Sequence, residues 1–228
     1  MYSKKMKERE NLPFGEVGEK ERGGAFFDWR EIQKNPNLIV KELKPEAIKD
    51  FAGFFSKKTF GADQSIESQA RRLNSYYEKL ASHPSLEELV PKTNVVIGKN
   101  EQNDKTLFAV SEKIKGKKLN EVLRHLTSEE KRDLIQILEG LVDVYVQTYD
   151  GKQGLSVEFQ YPPNMMFGKN ANQEARQDRV YLVDLFPVFG YTLEEFKERI
   201  EIFRRFNHID PEERERALEK LNALPAGK

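Results

Sequence analysis

The chain of 228 residues has no cysteine, three histidines and one tryptophan. Without cysteine, disulfides, thiolate nucleophiles and zinc sites built on sulfur are excluded. His83, His125 and His208 lie far apart along the chain, so no two of them have the spacing within one helical turn that is typical of histidine metal sites. The sequence therefore gives no support to a disulfide-stabilised scaffold or to a metal site built on cysteine or histidine.

Neither sign of charge is in excess, because 38 lysines and arginines balance 38 aspartates and glutamates. A chain with no net positive field is a poor candidate for non-specific nucleic-acid binding. No apolar run approaches the roughly 18 residues that cross a membrane, and the basic residues of segment 1–10 are not followed by the apolar stretch of a secretory signal. We therefore expect a soluble, cytoplasmic protein with no nucleic-acid or membrane partner.

The residues that are present favour a folded protein of one large domain or two small lobes. Hydrophobic residues make up 38% of the chain and aromatic residues 11%, which is too apolar for a disordered segment. The length exceeds the roughly 150 residues of a typical domain and allows a real hydrophobic core. The order of the elements then decides between one domain and two.

The first half of the chain is rich in short strand patterns and contains one well-defined helix. Strands are expected at Ala25–Trp29, Leu38–Leu43, Asn94–Gly98 and Thr106–Glu112, and a short helix at Pro45–Phe55. Ser65 can cap a longer helix whose apolar residues recur with the spacing of one helical face. These apolar residues are Ile66, Ala70, Leu73, Tyr77 and Leu80.

The second half is mainly helical. Helices are expected at Leu119–Leu126, from the capping box at Thr127 to about Asp150, from the capping box at Thr192 to about Arg205, and from Asp210 onward. A strand is expected at Arg179–Leu185. The order predicts an α+β fold in two lobes: an N-terminal extension (1–20), a small β-rich N-lobe (21–115) and a reduced helical C-lobe (116–228), with a ligand cleft at their boundary.

Several residues form an ordered set along this pattern. Gly23 and Gly24 precede a strand, Lys41 lies in the next strand, Glu67 (or Glu78) lies on the helix, and Phe108–Glu112 leads into a glycine-containing connection. Asn164 then follows two prolines, and Asp184 ends an apolar strand. The set resembles protein kinases over roughly residues 20 to 190.

The resemblance implies a kinase-like fold and a site for ATP and magnesium. Lys41 would contact the nucleotide phosphates and be oriented by Glu67, while Gly23 and Gly24 would belong to a glycine-rich loop. Main-chain groups of Glu112 and Ile114 would bind adenine. Asn164 and Asp184 would hold magnesium between the phosphates, because an amide oxygen and a carboxylate are suitable ligands for this ion.

The chain also departs from the kinase pattern. Kinases place a catalytic aspartate five residues before the metal-binding asparagine and a histidine two residues earlier, and these positions are Phe159 and Val157. Glu158 is adjacent and could act as the base if the loop carries a one-residue shift, since it would otherwise point to the opposite face. Asp184 is followed by Leu185 instead of the Phe-Gly of the family, and only 42 residues follow Phe186.

Three functions remain open after this comparison of residues. The first is a kinase-like nucleotide-binding protein with weak, atypical or lost phosphotransfer, because much of this chemistry rests on positioning and electrostatics. The second is a small-molecule phosphotransferase of the same fold, with Glu158 or Asp150 accepting the substrate proton. The third is an interaction module, bound to an unidentified protein, whose cleft is filled by Phe159 and Phe186.

Overall fold

The computed structural model describes residues 27–31, 35–43, 65–100, 103–173, 177–185 and 187–224. Within these ranges the protein is mixed α+β, with small antiparallel sheets and five α-helices. It divides into two compact units: the first ends at Lys79 and resumes over Lys92–Lys113, and the second comprises Leu80–Pro91 and the chain from Ile114. Gly23, Gly24, Phe186 and the predicted helix at Pro45–Phe55 lie outside the described residues.

The first unit contains one antiparallel sheet of four strands in the order β1-β2-β4-β3. The strands are β1 (Phe27–Glu31), β2 (Leu38–Leu43), β3 (Thr93–Lys99) and β4 (Lys105–Glu112). The predicted helix is α1 (Ile66–Ser82), whose last residues belong to the second unit. Its N-terminus is capped as expected, because the Ser65 hydroxyl accepts a hydrogen bond from the Ser68 amide.

Strand register explains which residues of this sheet are buried. Val40 lies opposite Val110, and Val96 lies opposite Phe108, so these four side chains share one face and form an apolar cluster. Successive residues of a strand point to opposite faces. Lys41, opposite Ala109, therefore lies on the other face.

The outer edge of the same sheet is closed by a side chain of α1. The Asn74 amide donates to the Val95 carbonyl at 2.8 Å and accepts from the Val95 amide at 2.7 Å. Both main-chain groups of an edge residue of β3 are thereby paired, as a neighbouring strand would pair them.

The second unit combines helices with two small sheets. The helices are α2 (Leu119–Val122), α3 (Ser128–Thr148), α4 (Leu193–Asn207) and α5 (Pro211–Asn222). One sheet has the order β5-β7-β8, with β5 at Ile114–Lys118, β7 at Met165–Asn170 and β8 at Arg179–Leu182. The other pairs β6 (Gln153–Val157) with β9 (Pro187–Thr192). The predicted capping boxes at Thr127 and Thr192 are both present.

The structure corrects two expectations in this unit and adds three strands that were not predicted. The helix predicted at Leu119–Leu126 stops at Val122 and continues as a 3-10 turn. The strand predicted at Arg179–Leu185 ends at Leu182, because the next two amides turn to bond the carbonyl of Asn164. Strands β5, β6 and β9 were not predicted, since their sequences lack a regular apolar alternation.

An aromatic cluster forms the core beside α4. Tyr145 stacks on Phe196 with ring centroids 4.0 Å apart, and Phe159 lies 5.7 Å from Phe196 and 5.5 Å from Phe203. Phe159 is completely buried. It is therefore a core residue of the second unit, and the expectation that it fills a ligand cleft together with Phe186 stays a prediction.

Strands β5 and β7 approach closely at a pair of glycines. Gly116 lies opposite Gly168 in the register, and a Cβ added to Gly116 would meet the carbonyl oxygen of Phe167 at 2.1 Å. Any other residue at this position would push the strands apart.

Among the described residues, no helix is long and apolar enough to cross a bilayer.

Candidate functional site

The second unit brings together Asn164 and Asp184, the two residues predicted to hold a metal. Asn164 ends a 3-10 turn at Pro162–Asn164, and the β7–β8 hairpin separates it from Asp184 in sequence. Its carbonyl accepts hydrogen bonds from the amides of Val183 at 3.0 Å and Asp184 at 3.2 Å. The hairpin therefore returns the chain to its starting point, and the two residues are adjacent.

Glu158 joins the same site. The side-chain amide of Asn164 donates to the Glu158 carbonyl at 2.6 Å. Burial raises the pKa of the Glu158 carboxyl, the nearby Asp184 carboxylate raises it further, and the Arg199 guanidinium acts in the opposite direction. The predicted candidate base thus lies near the predicted metal ligand.

Glu158 and its neighbour Phe159 have different surroundings. Phe159 points into the aromatic core, whereas the Glu158 carboxyl lies near Asp184 and Arg199, whose charges act on its pKa. The one-residue shift that was expected to bring Glu158 into the site stays a prediction.

The other candidate base of the second unit has a structural role. The Asp150 carboxylate accepts hydrogen bonds from the amides of Lys152 and Gln153, both at 3.0 Å. These bonds form the turn between α3 and β6. Of the two candidate bases, Glu158 is the one whose carboxyl pKa is raised by the charge of Asp184.

The buried carboxylate of Asp133 stabilises strand β8, next to the site. Asp133 of α3 accepts hydrogen bonds from the Nε of Arg179 at 2.8 Å and from the amide of Val180 at 2.9 Å. Arg179 also pairs with Glu88 at 3.1 Å, and these contacts raise the pKa of the Arg179 guanidinium. The network fixes β8, and Asp184 follows shortly after the end of this strand. Sequence reasoning missed the network because its members lie far apart in the chain.

The donor set suits magnesium bound together with phosphate. Asn164 uses its amide nitrogen for Glu158, so the amide oxygen lies on the other branch of the group. The described residues contain no cluster of three or more histidine, aspartate or glutamate side chains able to hold a metal alone. Magnesium usually takes one or two protein ligands and completes its shell with phosphate oxygens and water, and Asn164 with Asp184 fits that pattern.

Arg199 and Tyr191 lie near Glu158. The Arg199 guanidinium lies over the Tyr191 ring at 5.2 Å, and both Arg199 and Glu158 act on the pKa of the Tyr191 hydroxyl, which burial raises. Tyr161 and Phe206, both exposed, meet edge to face at 5.7 Å. In the sequence, Arg199 is a charged residue among the apolar residues on one face of α4, and this is the signal that could have identified it.

Lys41 and Glu67 belong to the first unit. Lys41 is half-buried on β2. Glu67 is exposed and forms an ion pair with Lys105 at 3.0 Å. Lys105 lies four residues along β4 from Ala109, the residue opposite Lys41, which corresponds to roughly 13 Å of strand. The pairing of Glu67 with Lys41 stays a prediction.

The residues predicted to receive adenine lie in regular strands. The amide of Glu112 donates to the Lys92 carbonyl at 3.1 Å, and its carboxylate accepts from the Lys92 amide at 3.0 Å. Ile114 lies opposite Asn170 in the β5–β7 pairing. The main-chain donor of Glu112 is therefore committed within the first unit.

Comparison with known proteins adds no family to this description. No protein-family model matches the chain, and no curated protein matches it either. Any function must be argued from the residues and their geometry.

Proposed function

We propose that the protein is a kinase-like nucleotide-binding protein that takes ATP with magnesium. The observation that carries the proposal is the meeting of Glu158, Asn164 and Asp184, three residues singled out by their order in the sequence, at one place in the second unit. The β7–β8 hairpin brings its two ends together, and these ends carry an amide and two carboxyl groups, which are the side chains that a magnesium-nucleotide site uses.

Each residue has a role under this proposal. Asn164 and Asp184 hold magnesium through an amide oxygen and a carboxylate oxygen, and the ion neutralises charge on the phosphates. The contact of Lys41 with the phosphates stays a prediction from the sequence alone. Phosphotransfer is weak or atypical, because the position of the kinase catalytic aspartate is held by the buried Phe159.

The test is a thermal-shift titration with ATP and magnesium on the full chain. The native protein is expected to melt at higher temperature with millimolar Mg-ATP, since a ligand that binds only the folded state stabilises it. Asp184→Asn should reduce the shift strongly, while Asp178→Asn, an exposed control at the start of β8, should leave it unchanged. Lys41→Met examines the lysine separately. The absence of a shift in the native protein would refute nucleotide binding.

One observation favours a second candidate function, a small-molecule phosphotransferase. The Glu158 carboxyl lies near Asp184, and burial raises its pKa, which suits a general base. ADP release in the presence of small hydroxyl and amine compounds should fall at least tenfold in Glu158→Gln and remain unchanged in Glu198→Gln, a change of the same kind on the exposed side of α4. Equal turnover by the two variants would reject Glu158 as the base.

A further inference from the structure

Helix α4 presents one stripe of residues to the segment that carries Glu158. Phe196 and Phe203 contact Phe159, and Phe206 contacts Tyr161. Arg199 lies three residues after the first of these and four before the second, which is the spacing of a single helical face. The stripe is therefore apolar except for one arginine, and that arginine faces the candidate site.

The contacts of Arg199 leave one of its buried hydrogen-bond donors, the Nε–H, without an acceptor. The guanidinium is half-buried over the Tyr191 ring, and its Nε is buried without a hydrogen-bond acceptor. Within the described part of the chain, Arg199 forms no ion pair and no hydrogen bond. A guanidinium carries five N–H donors, and burying donors without acceptors is unfavourable. A partner with oxygen acceptors would satisfy them.

The nearest acidic groups do not supply those acceptors. Glu195 interacts with Arg199 only through its charge, because its carboxylate accepts from the amide and hydroxyl of Thr192 at 2.7 and 2.9 Å. Glu158 likewise acts on Arg199 through charge without a direct bond. Asp184 adds a further negative charge, which a magnesium ion would offset if the proposed function holds.

We propose that Arg199, positioned over the Tyr191 ring, binds an oxyanion beside Glu158, Asn164 and Asp184. Phosphoryl and carboxylate groups have the geometry to bridge two guanidinium donors. The oxyanion belongs either to the nucleotide or to an acidic acceptor substrate. The proposal rests on the proposed function for this role, although the binding of the oxyanion itself can be measured without nucleotide.

The probe for the subsite is inorganic phosphate, titrated at constant ionic strength and followed through the Nε–Hε signals of ¹⁵N-labelled arginines. In the native chain, one arginine signal should shift saturably and should disappear from the spectrum of Arg199→Gln. Phosphate affinity should fall roughly ten- to hundredfold in this variant, as expected for the loss of charged hydrogen bonds. Arg205→Gln, on the exposed side of the same helix, should bind within twofold of the native chain.

The source of the oxyanion is found by repeating the titration with saturating Mg-ATP. Loss of phosphate binding identifies a nucleotide phosphoryl group, and unchanged binding identifies an acceptor substrate. Arg199→Lys keeps the charge without the planar guanidinium and should bind phosphate several-fold more weakly than the native chain. This second variant decides the test if Arg199→Gln has a folding defect. Equal phosphate affinity in all variants would overturn the subsite. If Mg-ATP fails to bind while phosphate still binds through Arg199, only the proposed function fails.

Discussion

The buried carboxylate of Asp133 offers the sharpest test of how the second unit is held together. Asp133→Ala removes two contacts at once: the bond to the Val180 amide and the ion pair with Arg179. Asp143→Ala is the matched control, because Asp143 lies on the same helix but is more exposed, and its contacts are with Lys220 and, at 3.8 Å, with His83. We expect the first substitution to destabilise the protein far more than the second.

The magnitude follows from the exposure of each partner. Val180 is completely buried, and an unpaired buried amide costs about 1 to 3 kcal/mol. The Arg179 side chain is 29% exposed and keeps Glu88 as a partner, so its lost pairing adds only about 1 kcal/mol, well below the cost of breaking a fully buried pair. Asp133→Ala should therefore cost about 3 kcal/mol, and Asp143→Ala below about 1 kcal/mol.

Urea unfolding can measure both variants with two probes. Circular dichroism reports mainly on the second unit, which holds four of the five described helices, while the fluorescence of Trp29 reports on the first. The dichroism midpoint should shift in Asp133→Ala, and the double variant Asp133→Leu with Arg179→Met should recover part of the loss, because an apolar pair removes both charges. Equal midpoints for Asp133→Ala and Asp143→Ala would refute the reasoning.

Three further predictions concern single residues of the second unit. Gly116→Ala places a Cβ against a main-chain oxygen of β7 and should lower the free energy of unfolding in urea by more than about 2 kcal/mol. Gly140→Ala meets only a leucine side chain and should lower it less. Equal losses in the two variants would contradict this. Phe159→Asp should unfold the unit, as seen by circular dichroism, because it buries a charge; a folded variant with faster ADP release would show the opposite. Hydrogen bonds from Thr192 lower the pKa of Glu195, so its stabilisation is present above the unfolded pKa and is lost as pH falls through the folded value. Glu195→Gln should therefore cost about 0.5 kcal/mol at pH 7 and nothing near pH 2, and a difference independent of pH would argue against the cap.

The elements that the sequence predicted well are those defined by local patterns. Ser65 caps α1, and Thr127 and Thr192 form capping boxes, because such caps involve residues only three apart. The pairing of β6 with β9 joins segments about thirty residues apart, and short strands with little apolar alternation carry no local signal of it. Distance along the chain, more than residue type, limited the prediction.

The site follows the same division. Asn164, Asp184 and Glu158 were identified from their order, and the structure brings them together. Arg199 was missed because a single arginine in a charged helix has many solvated explanations, and only the packing of Phe196 and Phe203 on Phe159 shows which way it faces. The position of the Glu158 carboxyl near Asp184 and Arg199 likewise depends on packing that the sequence does not display.

The bond between Asn74 and Val95 makes one amide proton a reporter on the attachment of α1. The Val95 N–H donates to a side chain of the helix, so its hydrogen exchange requires only that this contact opens while the sheet remains paired. Amides bonded between β3 and β4 require the sheet itself to open. Comparison of the two exchange rates would measure the free energy of opening the contact between helix and sheet, without denaturant and without any substitution in the chain.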